Sequence, residues 1–123
     1  MEDAKKLMIV DDEETLTYSL YQSFILAKHN YEVVTAASGE EASAKLETAD
    51  YDLVITDISM PGMSGLELLA RIRKNYPQTQ VVVMTAYGSE DKREEAMKLG
   101  ARNYIEKPFE IKEIKQLVME ILN

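Results

Sequence analysis

The sequence predicts a doubly wound α/β domain, a five-stranded parallel sheet with five helices covering both faces. Three observations support this. Short β-branched runs alternate with longer stretches of helical periodicity. The runs are nearly continuous in apolar residues rather than strictly alternating, as strands covered on both faces must be. The stretches between them are long enough for the crossovers that parallel strands require, and such crossovers are nearly always right-handed.

The first run is LMIV, Leu7 to Val10, and after it Leu16, Leu20 and Phe24 recur at helical spacing. The second, YEVVTA from Tyr31 to Ala36, leads to Ser38 and Glu41, the spacing of a capping box in which hydroxyl and carboxylate each satisfy a backbone donor. The third, LVIT from Leu53 to Thr56, ends in Asp57 and a loop marked by Pro61, Gly62 and Gly65. A second capping box, Ser64 with Glu67, opens a helix with Leu66, Leu69 and Ile72 as its apolar stripe. The fourth run is VVVMT, Val81 to Thr85. The helix EDKREEAMKL after it, Glu90 to Leu99, has only Ala96, Met97 and Leu99 to bury and is expected to be loosely held. The fifth run is NYI, Asn103 to Ile105. The last helix is strongly amphipathic, with Ile111, Ile114, Leu117, Val118, Ile121 and Leu122 on one side.

With 123 residues the chain fits one domain, read as spanning residues 1–123 with no output domain, and it buries about two thirds of its unfolded surface without a covalent staple. A net charge of −8 with scattered Lys and Arg argues against a phosphate-tracking nucleic-acid surface. The absence of Cys excludes a disulfide scaffold, a thiol nucleophile and a thiolate zinc site. No segment approaches the roughly 20 apolar residues of a membrane span, and MEDAKKLMIV does not read as a secretory signal. The expected location is cytoplasmic.

In open α/β sheets ligands bind beyond the carboxyl ends of the strands. There the sequence places Asp11, Asp12, Glu13 and Glu14 after the first run, Asp57 after the third, Thr85 at the end of the fourth, and Glu106, Lys107 and Pro108 after the fifth. Taken singly, Asp11 or Asp12 could be a helix cap, Thr85 a strand residue and Lys107 a solvated charge. Gathered on one rim they need compensation, because unit charges about 4 Å apart repel by about 4 kcal/mol at an effective dielectric near 20. Lys107 supplies one positive charge, and a hard divalent ion with oxygen ligands can supply the rest; few carboxylates and room for waters favour Mg²⁺ over Ca²⁺. A carboxylate can attack phosphorus to give an acyl phosphate, and Asp57, central on the rim and followed by a loop, is the candidate. Asp12, with Asp11, would hold the metal, Lys107 would pair with phosphoryl oxygens, and Thr85 would donate its hydroxyl to one of them.

At these residues the chain resembles the receiver domains of two-component response regulators over essentially its whole length. The matching motifs are IVDDE (Ile9 to Glu13), LVITDISMPGMSG (Leu53 to Gly65), VVVMTAYG (Val81 to Gly88) and EKPF (Glu106 to Phe109). The resemblance implies a flavodoxin-like strand order of 2-1-3-4-5. It implies that Asp57 accepts a phosphoryl group from a sensor histidine kinase or histidine phosphotransfer protein, in a reaction the receiver itself catalyses. Asp11, Asp12, Asp57 and the Ser59 backbone carbonyl would arrange Mg²⁺, with Lys107 and Thr85 on the phosphoryl group. Tyr104 matches the family's switch aromatic, which turns inward when Thr85 moves. The surface of the fourth helix, fifth strand and fifth helix is the implied site for an output domain, effector or homodimer partner, and the Lys107–Pro108 bond is implied to be cis.

Departures from the family pattern are few. Ser64 stands where many receivers have Asp, yet it keeps the cap. Ser59 and Tyr87 occupy positions at which receivers vary, and the Tyr87 ring is expected to restrict attacking water and prolong the phosphorylated state. The TAYGS wording is similar to receivers attached to AAA+ transcriptional activators. A haloacid dehalogenase-like phosphatase needs a second Asp where this chain has Ser59, and a flavodoxin-like cofactor binder needs a phosphate loop where it has DDEE. A pseudo-receiver, which binds partners without phosphorylation, usually lacks an acid or the lysine that this sequence keeps. His29 is read as a helix-end residue without a role, and Met60 and Met63 as local packing.

Overall fold

The computed structural model describes residues 4–26, 30–86 and 88–122. Five strands, β1 (Lys5–Val10), β2 (Tyr31–Ala36), β3 (Leu53–Asp57), β4 (Gln80–Thr85) and β5 (Asn103–Glu106), alternate with five helices. The helices are α1 (Glu14–Ile25), α2 (Gly39–Leu46), α3 (Gly65–Asn75), α4 (Glu90–Lys98) and α5 (Ile111–Leu122). All pairings are parallel, in the order β2-β1-β3-β4-β5. The expected fold and strand order are both present.

The continuous apolar runs are explained by two cores, one on each face of the sheet. Met8, Val10, Val54, Val81 and Val83 pack with Ala42, Leu46, Leu68, Leu69, Ile72 and Ala96 of α2, α3 and α4. Their neighbours Leu7, Ile9, Leu53, Ile55, Val82 and Met84 pack with Leu20, Phe24, Ile114 and Val118 of α1 and α5. Successive side chains point to opposite faces, so both sets are buried and the runs show no polar alternation. Each fully buried Leu, Ile or Phe contributes about 1.5–3 kcal/mol over its exposed state. β1, β3 and β4 form the closed centre, while β2 and β5 at the edges are only partly covered.

Helix starts follow the hydroxyl signals, with one difference. Ser64 Oγ accepts from the Glu67 amide at 3.2 Å and the Glu67 carboxylate accepts from the Ser64 amide at 3.5 Å, the reciprocal pair expected. Ser38 Oγ accepts from the Glu41 amide at 3.0 Å, but Glu41 Oε1 reaches the Ala37 amide at 3.0 Å instead of that of Ser38. The other oxygen of the same carboxylate pairs with Lys45 at 2.9 Å.

The fourth helix is thinly packed, as expected. Only Ala96 is buried, Leu99 is partly covered, and Met97, read as a core residue, is 41% exposed. Its N-terminus is held by Ser89 Oγ, which accepts from the Lys92 amide at 3.2 Å. In α3, Leu68 is buried beside Leu69 and Ile72, whereas Leu66 is only partly covered. Among the described residues no helix is long and apolar enough to cross a membrane.

Candidate functional site

Asp57 is the last residue of β3, and its main chain is fixed from several directions. It lies opposite Met84 in the β3–β4 register, and the next amide, Ile58, donates to the Met84 carbonyl at 2.9 Å. Thr56 Oγ1 donates to the Asp57 carbonyl at 3.0 Å. Gly65 packs against that carbonyl so closely that a β-carbon there would collide with it, which is why the helix after the loop starts on glycine. The loop turns through Gly62 at φ 75°, a conformation open to glycine, and Met60 and Met63 pack into the adjoining core as expected.

The Asp57 side chain is nearly buried and both of its oxygens are engaged. Oδ1 accepts from the Ser59 amide at 2.9 Å, and Oδ2 accepts from Lys107 Nζ at 2.8 Å. Asp11, just past β1, is buried too; its Oδ1 accepts from the Glu13 amide at 2.9 Å and its Oδ2 from Lys107 Nζ at 2.8 Å. Lys107 is positioned by its own amide, which donates to the Thr85 carbonyl at 2.8 Å, and the Lys107–Pro108 bond is cis as expected.

Asp11, Asp12 and Asp57 each offer a carboxylate oxygen, all within 4.8 Å of one another, the one such acidic group among the described residues. Asp12 is exposed, so the trio opens to solvent on one side. A compact set of hard oxygen donors with an open side fits a Mg²⁺ ion that keeps several waters. Burial, more than anything else, raises the Asp11 carboxyl above its ordinary range, and the Asp57 charge adds to this against the pull of Lys107 and the Glu13 amide. Burial alone would lower the Lys107 ammonium, but the hydrogen bonds it donates to Asp11, Asp57 and Glu13 together hold it above its usual value.

Thr85, fully buried, ends β4 beside this cluster. Its Cγ2 and the Tyr104 hydroxyl both border Gly88, so the predicted switch pair meets across one glycine. Tyr104 is half-buried on β5 with its ring against the α2–α3–α4 core, and burial, then the charge of Glu106, raises its phenol above the usual value. Tyr87 and His29 lie outside the described residues. One participant was not singled out from the sequence. Glu13 Oε1 accepts from Lys107 Nζ at 2.9 Å, at the edge of an open cavity of about 500 Å³ also lined by Leu16, Ala86, Pro108 and Phe109.

Comparison with known proteins agrees with this geometry. The response regulator receiver domain family matches residues 7–119. The response regulator protein FleR of Pseudomonas aeruginosa is 42% identical over 115 residues, covering 94% of this chain but 24% of FleR. Sporulation initiation phosphotransferase F of Bacillus subtilis is 36% identical over 118 residues, covering 96% of this chain and 94% of that protein. Among solved structures, the response regulator TrrA of Thermotoga maritima, in complex with Mg²⁺-BeF, superposes with a TM-score of 0.83 at 37% identity over 96% of this chain and 99% of that one. The strand order, the acidic rim with its lysine and these matches together make the chain a member of the response regulator receiver domain family, the phosphorylation-controlled regulatory domain of two-component signalling.

Proposed function

We propose that Asp57 is the phosphoacceptor, loaded from the phosphohistidine of a sensor histidine kinase or histidine phosphotransfer protein. The observation that carries this is the Asp57 carboxylate, held at the buried end of a central strand, hydrogen-bonded to Lys107 and within reach of two further acids. One Asp57 oxygen forms the new O–P bond as the donor's P–N bond breaks. The P–N electron pair stays on the imidazole nitrogen, which takes a proton from solvent. Lys107 donates to one phosphoryl oxygen, and the Thr85 hydroxyl donates to another.

Asp11, Asp12, Asp57 and the Ser59 carbonyl would hold Mg²⁺, which when bound neutralises charge on the transferring group. The receiver thereby promotes its own loading and hydrolysis. When Thr85 turns toward the phosphoryl group, the space it leaves beside Gly88 admits the Tyr104 ring. The surface of α4, β5 and α5 is then altered for an output domain, an effector or a second copy. α4 suits this role because it buries one residue and shifts at little cost. The complex of TrrA with Mg²⁺-BeF supports the metal assignment. The reading places the protein in the cytoplasm with its kinase's catalytic domain.

Intact-mass spectrometry after treatment with acetyl phosphate and Mg²⁺ tests the proposal. One phosphoryl adduct is expected on the wild type, none after chelation of the metal and none on Asp57→Asn. An adduct that persists on Asp57→Asn would overturn the assignment.

A further inference from the structure

Lys107 carries three N–H donors, and the structure commits all three, to Asp11 at 2.8 Å, Asp57 at 2.8 Å and Glu13 at 2.9 Å. A phosphoryl oxygen that takes a bond from Nζ must therefore displace one of them. The three acceptors differ sharply in what release would cost. The Asp11 side chain is 0% exposed and that of Asp57 7%, so while the donor approaches and Asp57 is still ionised, either, once freed, would be left with an unpaired charge away from water. The Glu13 side chain is 61% exposed, and water replaces the lysine at once.

A second observation concerns what Glu13 does not do. It is the N-cap residue of α1, yet its side chain makes no capping hydrogen bond, whereas the N-cap positions of α2, α3 and α4 are Ser38, Ser64 and Ser89, each accepting from the backbone. Glutamate is a poor choice for a cap, and here its carboxylate is turned to Lys107 instead.

We infer that Glu13 is the exchangeable acceptor of Lys107, a positioning residue that occupies one ammonium donor in the resting protein and yields it to the phosphoryl group on loading. Glu13 thus competes with the incoming group and slows loading. The inference rests on Asp57 being the phosphoacceptor. The hydrogen bond passes from carboxylate oxygen to phosphoryl oxygen with no proton transferred, and the released Glu13 swings into solvent at the cavity mouth.

The test is the rate of Asp57 loading by acetyl phosphate with Mg²⁺, followed by intact mass at low and high salt, for the wild type, Glu13→Gln and Glu13→Ser. Both variants are expected to load about 2- to 5-fold faster at low salt, the range set by an exposed ion pair, and the advantage should shrink as salt screens the wild-type pair. Glu13→Ser also restores a capping side chain, so it should be no less stable than the wild type, which separates the rate effect from damage to α1. Adducts that form at equal or lower rates in both variants, or an advantage indifferent to salt, would overturn the inference alone. No adduct on the wild type would overturn the phosphoacceptor reading itself and the inference with it.

Discussion

The carbonyl oxygen of Asp57 fills the space that a β-carbon on residue 65 would need, so the acceptor strand and the start of α3 are locked at van der Waals distance. Gly65→Ala is therefore expected to destabilise the domain by about 1–3 kcal/mol, the usual range for an overpacked contact that backbone must absorb. Urea denaturation of the two proteins measures it. An unchanged midpoint would mean that α3 can slide away from the strand end.

Loss of Lys107 exposes the repulsion it now masks. Lys107→Ala leaves the Asp11 and Asp57 carboxylates close together and unpaired, with an expected cost of about 3 kcal/mol at neutral pH. Mg²⁺ should restore much of it and so raise the variant's thermal midpoint more than the wild type's. The cost should also shrink in acid. Burial raises the Asp11 carboxyl, and its protonation removes one of the opposed charges. Equal Mg²⁺ stabilisation of both proteins would contradict this account.

Glu41, well away from the site, is shifted the opposite way to Asp11. Its hydrogen bond from the Ala37 amide, and then that from Lys45, lower its carboxyl below the ordinary 4.5. A carboxyl lowered by folding adds stability that is complete above its unfolded value and lost as pH falls through the folded one. Glu41→Gln should therefore lose stability, less than about 1 kcal/mol because the side chain is partly exposed, at neutral pH but not below the acid window. Thermal melts across the acid range test this, and a difference that stayed constant or grew as pH fell would contradict it.

Gly88→Ala tests the coupling of Thr85 to Tyr104. An added methyl would stand 2.5 Å from the Tyr104 hydroxyl and 3.1 Å from Thr85 Cγ2, so the ring is expected to leave its half-buried position. With burial reduced, its phenol should fall back toward the ordinary value of 10.0. Ring-labelled NMR of the tyrosines follows both changes, and an unmoved Tyr104 resonance would show that the loop yields instead.

Much of this was legible in the sequence because parallel strands covered on both faces leave an unmistakable apolar run, and all five appear where the runs stand. The acids, Thr85 and Lys107 were legible because strand ends in this architecture must meet on one rim. What escaped depends on tertiary contact. Met97 looked like core by its chemistry, but α4 buries only the small Ala96. Glu41 reaches the Ala37 amide with one oxygen while pairing with Lys45 through the other, a division its spacing from Ser38 does not reveal. Glu13 stands with the acids after β1 and carries no role in the sequence reading. Only the three-way sharing of Lys107 gives it a part, although counting lysine donors against rim acids would have pointed to a third acceptor.

The carboxylate proposed to receive the phosphoryl group sits at the end of a central strand pinned through Met84, Thr56 and Gly65. The surface proposed to meet a partner lies elsewhere, on α4, β5 and α5. Reactivity and recognition thus occupy separate parts of the polypeptide. On that reading a change of partner can be written into α4, β5 and α5 while the carboxylate stays in one spot.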